Sequence, residues 1–196
     1  LVGSEMCIRD RNRTELVERI SQAVDKDGRI EALKGLFFNR ISTIRQSMHG
    51  VSKPCFCVIA QGSKAIFLGD ERYQYDPAHY LLFTADLPYV SQVIEASPEQ
   101  PYLSLRLDLD PGLVSSVMVE AGHPSAQSQA NVCALNVSPL DTSLLDAVVR
   151  LVRLIDTPDE VPFLAPLITR EIVYRLLMGN QGERLRYLTI QRGHTH

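Results

Sequence analysis

Cys55-Phe56-Cys57 sets two thiols two residues apart. On a β-strand, side chains repeat every second residue, so both thiols share one face. Such a pair could begin a soft-metal or redox site. Cys133 is the one further thiol in reach of such a site, and no Cys-x-x-Cys occurs. Buried cysteine packs well as a small hydrophobe, and packing is the expected role here. A first-row metal in a small β-barrel needs two or three His and a carboxylate converging from neighbouring strands. His79 alone falls on an expected barrel strand. His49 and His123 lie in expected loops, and His194 and His196 in the tail, so no metal is expected. No Gly-x-Ser-x-Gly is present. Gly62-Ser63-Lys64 lacks the spaced first glycine of a phosphate loop and lies between strands. Glu71, Asp76 and Asp86 sit in turns, where carboxylates are ordinarily solvated. The chain offers no catalytic constellation and no cofactor fingerprint.

The elements that hold these residues come from a chain of 196 residues, 45% hydrophobic and 22% charged, which is ordinary globular composition. Twenty Lys and Arg against 23 Asp and Glu leave a net charge of −3, unlike the basic excess of a self-sufficient nucleic-acid binder. No apolar run reaches the roughly 20 residues of a membrane span. Four cysteines make no disulfide framework in a chain this size, which points to a reducing cytoplasm. Residues 1–11 resemble translated sequencing-adapter sequence and are set apart as foreign. Residues 191–196 end without a cap or a closing strand, and both ends read as the edges of a fragment.

Leu16, Val17, Ile20 and Val24 predict a short amphipathic helix over 14–27. A strand at 37–44 and a polar loop near 49–54 follow. From 55 to 109 short strands succeed one another at Gly and Pro turns, among them Gly69-Asp70, where glycine reaches positive φ cheaply. The clearest strand is 102–109: Leu103, Leu105, Leu107 and Leu109 alternate with Tyr102, Ser104, Arg106 and Asp108. One face is expected to meet a core and the other water. A helix from Asp110 with Pro111 at its first position comes next, then a polar loop at 122–130 and a strand at 131–137. Ser138 and Pro139 predict the start of a helix, Thr157 caps the next, and Gly179 ends it. The architecture is mainly β with C-terminal α: a cupin-like antiparallel β-barrel, or jelly roll, followed by a helical pair. The expected division is 12–137 as the barrel with its N-terminal helix, 138–180 as the helical region and 181–196 as a linker.

A barrel interior is a common ligand cavity. The barrel segments carry Phe56, Phe67, Tyr73, Tyr75, Tyr80, Phe83, Tyr89 and Tyr102. Arg45, Tyr75, His79 and Phe83 are the candidate ligand-binding residues. The first closing helix bears a broad apolar face, Leu144, Leu145, Val148, Leu151, Val152 and Ile155. Its doubled positions suit two packing neighbours, either within one subunit or with the second across a two-fold dimer seam.

Several segments, in order and spacing, resemble the N-terminal domain of AraC-type transcription regulators. They are residues 58–64, 73–81, 85–88, 95–99, 101–108 and 164–177 with Gly182. The resemblance runs from about residue 34 to the end. It implies a cupin-like barrel sensing an unknown small-molecule effector, helices that form a homodimer, and DNA contact only through a C-terminal module of two helix-turn-helix units beyond His196. Effector-binding residues follow no fixed motif in that family, so none is carried over. The alternatives are a cupin-type enzyme (an isomerase or dioxygenase), which the missing His ligands disfavour, and a dimerisation domain with no ligand.

Overall fold

The computed structural model describes residues 2–44, 46–122 and 134–190. Helix α1 (Val2–Ala23) opens the chain. Nine strands follow: β1 (Gly28–Leu33), β2 (Leu36–Ile41), β3 (Met48–Ser52), β4 (Cys55–Gln61), β5 (Ser63–Leu68), β6 (Glu71–Tyr75), β7 (His79–Phe83), β8 (Leu87–Glu95) and β9 (Tyr102–Asp108). Then come α2 (Pro111–Glu120), β10 (Leu135–Pro139), α3 (Thr142–Arg153), α4 (Val161–Met178) and α5 (Gly182–Ile190). The strands form a six-stranded sheet, β1-β2-β9-β4-β7-β10, and a four-stranded sheet, β3-β8-β5-β6, antiparallel throughout. The mainly β fold with C-terminal helices is as expected, but the strands make two facing sheets rather than one closed ring.

The large sheet is covered on both faces, and its strands sort their side chains accordingly. On β4, Phe56, Val58 and Ala60 join the helices in one core. The intervening Cys55 and Ile59 belong to a second core, between the sheets. Strand β7 does the same, sending Tyr80 and Leu82 to the helices and Leu81 and Phe83 to the small sheet. On β9, Leu103, Leu105 and Leu107 meet the helical layer. The opposite face was expected to meet water. It instead turns Tyr102, Ser104 and Arg106 into the space between the sheets.

Local chemistry explains most element boundaries. Asp110 caps α2 by accepting from the Gly112 amide at 2.9 Å, with Pro111 at the first helical position. Gly69 has φ +59°, the left-handed turn that glycine makes without strain. Gly62 has φ +86°, and a Cβ there would stand 2.5 Å from the Glu95 carbonyl oxygen, so the β4–β5 turn requires glycine. Other boundaries differ from expectation. Residues 28–33 and 48–52 are strands, because pairing with β2 and β8 supplies the ladder that their own patterns do not announce. Ser138 and Pro139 end β10, and Asp141 caps α3 through the Leu144 amide at 2.8 Å. Thr157 makes no side-chain cap, and Pro158–Glu160 forms a 3-10 turn into α4. Gly179 leaves α4 in extended backbone. Residues 182–190 form α5, with Leu185 and Leu188 buried.

Helix α3 turns its apolar face into its own chain. Leu144 is 2% exposed, Leu145 1%, Val148 2%, Leu151 3% and Val152 0%, with Ile155 packed at the edge of the same core. Their cover is α1 and α4 of the same chain, so the doubled positions have both their neighbours at home. Helix α1 buries Leu16, Ile20 and Val24 and fastens itself to the α3 end through Glu15–Arg153 at 2.7 Å and Arg19–Asp156 at 2.5 Å. Its residues 3–7 are exposed.

Candidate functional site

Between the two sheets lies a cavity of about 310 Å³. Its floor is the inter-sheet face of β4, β7 and β9, and its roof comes from β3, β5, β6 and β8. Two-sided cover puts polar strand residues in a place where water alone does not explain them. Ser104 and Arg106 on β9, Lys64 on β5 and Arg29 on β1 all line the space. The described lining residues include no aspartate or glutamate. Hydroxyls of Ser52 and Ser91 and the rings of Tyr75, Phe83, Tyr89 and Tyr102 complete a mixed polar and aromatic wall.

The three cations are held differently. Arg29 stacks on the Phe37 ring, 4.2 Å from its centroid, which orients the guanidinium without neutralising it. The Arg106 Nε donates to Asp108 Oδ1 at 2.9 Å. Burial works against the Arg106 charge, but the Cys55 thiol and Asp108 outweigh it and leave its pKa raised. Burial lowers the Lys64 pKa. The groups acting on Lys64 are the Cys57 and Cys55 thiols and the like charges of Arg29 and Arg106, with no carboxylate. A half-buried ammonium without a carboxylate partner favours a nearby anion. Burial also keeps the Tyr75 and Tyr102 phenols protonated well past neutrality, and the two are hydrogen-bonded to each other.

Cys55 and Cys57 share the cavity face, with their sulfurs 3.8 Å apart. The contact with Cys57 lowers the Cys55 pKa against the opposing pull of burial. The same contact raises that of Cys57.

Of the candidate ligand residues, Tyr75 and Phe83 line the cavity. His79 stands at the start of β7, and its Nδ1 is 2.8 Å from Asp76 Oδ1, away from the cavity wall. Arg45, like Cys133, His123, His194 and His196, lies outside the described residues. His49 is on β3 and lines the cavity rather than sitting in a loop. Among the described residues no group of three or more His, Cys, Asp or Glu side chains could hold a metal ion. Sequence reasoning missed Arg29, Lys64 and Arg106 as site residues. The available signal was the Ser104–Arg106 face of a strand flanked by two layers.

Comparison with known proteins follows the fold. No curated protein matches the chain in sequence. Three structures of ToxT from Vibrio cholerae are similar in fold. An apo variant from strain SCE256 matches at TM-score 0.55 and 8% identity, over 79% of this chain and 59% of that one. Wild-type ToxT from the same strain, bound to unsaturated fatty acid, matches at 0.52 and 8%, over 80% and 58%. ToxT from strain O395, bound to (E)-4-(8-methylnaphthalen-1-yl)but-3-enoic acid, matches at 0.50 and 10%, over 76% and 56%. The chain thus corresponds to less than three fifths of each ToxT chain. The family model for the N-terminus of AraC-type transcriptional regulators matches residues 32–184, from the β1–β2 hairpin into α5, and the chain belongs to that family.

Proposed function

We propose that this chain is the effector-sensing part of a transcription regulator, not an enzyme, and that its effector is a small organic acid held between the sheets. The observation that carries the reading is the cation set Arg29, Lys64 and Arg106 around a cavity whose described lining lacks any carboxylate. The mixed lining fits an amphiphile: the acid meets the cations, and an apolar body meets Ile66, Leu81 and Phe83. The ligands in two of the similar ToxT structures are a fatty acid and a butenoic acid, which supports the same chemical class. The cavity lies at the small end of ligand pockets, roughly 300–1,000 Å³, and favours a compact acid over a long chain.

We further propose a homodimer, with the seam on α4 rather than α3. Phe163, Leu167, Tyr174 and Met178 fall on one face of α4 at helical spacing and are all exposed. A two-fold axis would pair that face with its copy. Occupancy of the cavity would then be passed, through this dimer, to DNA-reading modules of the intact regulator, acting in the cytoplasm. Among the described residues no helix is long and apolar enough to cross a membrane.

The deciding experiment is calorimetric titration with a panel of aryl-butenoic and medium-chain fatty acids beside their alcohol analogues. The acids are expected to bind and the alcohols not. Acid affinity should fall on Arg106→Gln or Lys64→Met. Equal binding of acid and alcohol, or acid binding untouched by both substitutions, would overturn the reading.

A further inference from the structure

We propose that Cys55 and Cys57 form a two-thiolate site for a soft monovalent metal ion, of the chemistry of Cu(I), in the wall of the inter-sheet cavity. The effector reading makes no use of the two thiols, although both readings draw on Arg106 and Lys64 of the same cavity.

Geometry comes first. The two sulfurs are 3.8 Å apart on one face of β4, and the Ser52 Oγ lies 3.7 Å from the Cys55 Sγ. Two sulfurs bonded at about 2.3 Å to an ion with no other ligand open toward a linear arrangement and stand up to about 4.6 Å apart. Rotation about χ1 can widen the pair by the fraction of an ångström that such an ion needs. A disulfide fits worse. Residues i and i+2 of a strand have Cα atoms about 6.6 Å apart, near the upper end of the disulfide range. Strand β4 cannot easily shorten, because β7 and β9 pair with it on both sides at these residues.

Ligand number and charge then select the ion. Zinc wants four ligands, and no third His, Cys or carboxylate joins the pair among the described residues. Thiolates select soft ions, and Cu(I) is satisfied by few of them. On binding, two S–H protons leave to water and two S–Cu bonds form, with no change of oxidation state. The resulting complex carries a single negative charge. Arg106 is the direct cross-strand neighbour of Cys57, and Lys64 faces the pair across the cavity. An anionic bis-thiolate complex therefore meets fixed positive charge, whereas a hydrated divalent cation would meet repulsion.

The test uses the reduced full chain under anaerobic conditions, titrated with Cu(I) against a chromogenic chelator. The expected result is one tightly held equivalent per chain and a near-ultraviolet sulfur-to-copper absorption. Cys55→Ser and Cys57→Ser should each weaken binding by at least about a hundredfold, beyond the 10–100-fold typical of outer-shell partners. A Cys7→Ser, Cys133→Ser double variant should retain it, and Zn(II) should not compete. In the unaltered protein, Cu(I) should also protect Cys55 and Cys57 from alkylation, read by peptide mass mapping, which guards against variants that fail to fold. Absence of binding, retention of binding by the Cys55→Ser, Cys57→Ser double variant, or protection confined to Cys7 or Cys133 would overturn the proposal.

Discussion

The two faces of the six-stranded sheet are built from alternate residues of the same strands, yet they differ in kind. Toward the helices, Phe56, Val58, Leu82, Leu103 and Leu105 share one apolar core with residues of α1 and α3. Toward the small sheet, the neighbours of those residues are Cys55, Cys57, Ser104 and Arg106 around open space. One face maximises buried apolar area, the dominant source of stability. The other gives up area to hold cations and hydroxyls around a cavity. Stability and ligand chemistry are thus separated by a single residue step along each strand, and substitutions one position apart should have different consequences.

The largest effect belongs to the helical face. Phe56 is fully buried and packs on Tyr80 with ring centroids 5.5 Å apart. Phe56→Ala is expected to cost about 3–5 kcal/mol in denaturant unfolding, enough to threaten folding. Across the large sheet, on β5, the prediction reverses. Lys64→Met on the cavity side should leave stability unchanged or raised near neutral pH, since burial already disfavours the ammonium. Organic-acid affinity should fall at least about tenfold, because a charged hydrogen bond contributes about 1.5–3 kcal/mol. A Lys64→Met protein that unfolds like the Phe56→Ala one would erase the division between the faces.

A third prediction extends the comparison to the outer surface of the helical layer. Leu167 is 61% exposed on α4, whereas Leu145 is 1% exposed on α3. Leu167→Glu should convert a sedimenting dimer into a folded monomer. Leu145→Glu should unfold the chain, because it buries a charge with no partner. A wild-type chain that is monomeric at tens of micromolar would end the α4 proposal.

How much of this was legible follows from what each pattern encodes. The alternation at 102–109 and the apolar stripe of 144–155 correctly announced a strand and a helix, because period alone carries that information. Period does not say what covers a face. The doubled positions of α3 were compatible with a dimer seam or with two neighbours in one chain, and only the packing of α1 and α4 decides between them. Ser104 and Arg106 read as a wetted face for the same reason: a second sheet across from them is invisible in the strand's own residues. Arg29 and Lys64 reach the cavity from β1 and β5, elements about 75 and 40 residues before β9 in the chain, and no local spacing links them. Ring type alone does not choose a face: of the barrel aromatics, Tyr75 and Phe83 line the cavity, whereas Phe56 and Tyr80 turn to the helices.

The smallest predicted effect tests whether α1 belongs to the helical layer by charge as well as by packing. Glu15 accepts from Arg153 at 2.7 Å and from Arg19 at 2.8 Å. These bonds, that to Arg153 foremost, bring its pKa from 4.5 down to about 2 against the opposing pull of burial. A carboxylate with a depressed folded pKa binds fewer protons folded than unfolded. Its contribution is therefore present above about pH 4.5 and is lost as pH falls toward about 2. Salt and solvent screen the pair, since Arg153 is 42% exposed, so the effect should stay below about 1 kcal/mol. Glu15→Gln should lower stability slightly at pH 7 and flatten the acid limb of the stability profile between those two values. High salt should shrink the difference between the two proteins. Organic-acid binding at pH 7 should not change, because Glu15 lies in the layer across the sheet from the cavity. A Glu15→Gln variant that binds the acid more weakly would show that the two faces communicate through the large sheet, and the separation drawn between them would then hold for stability but not for function.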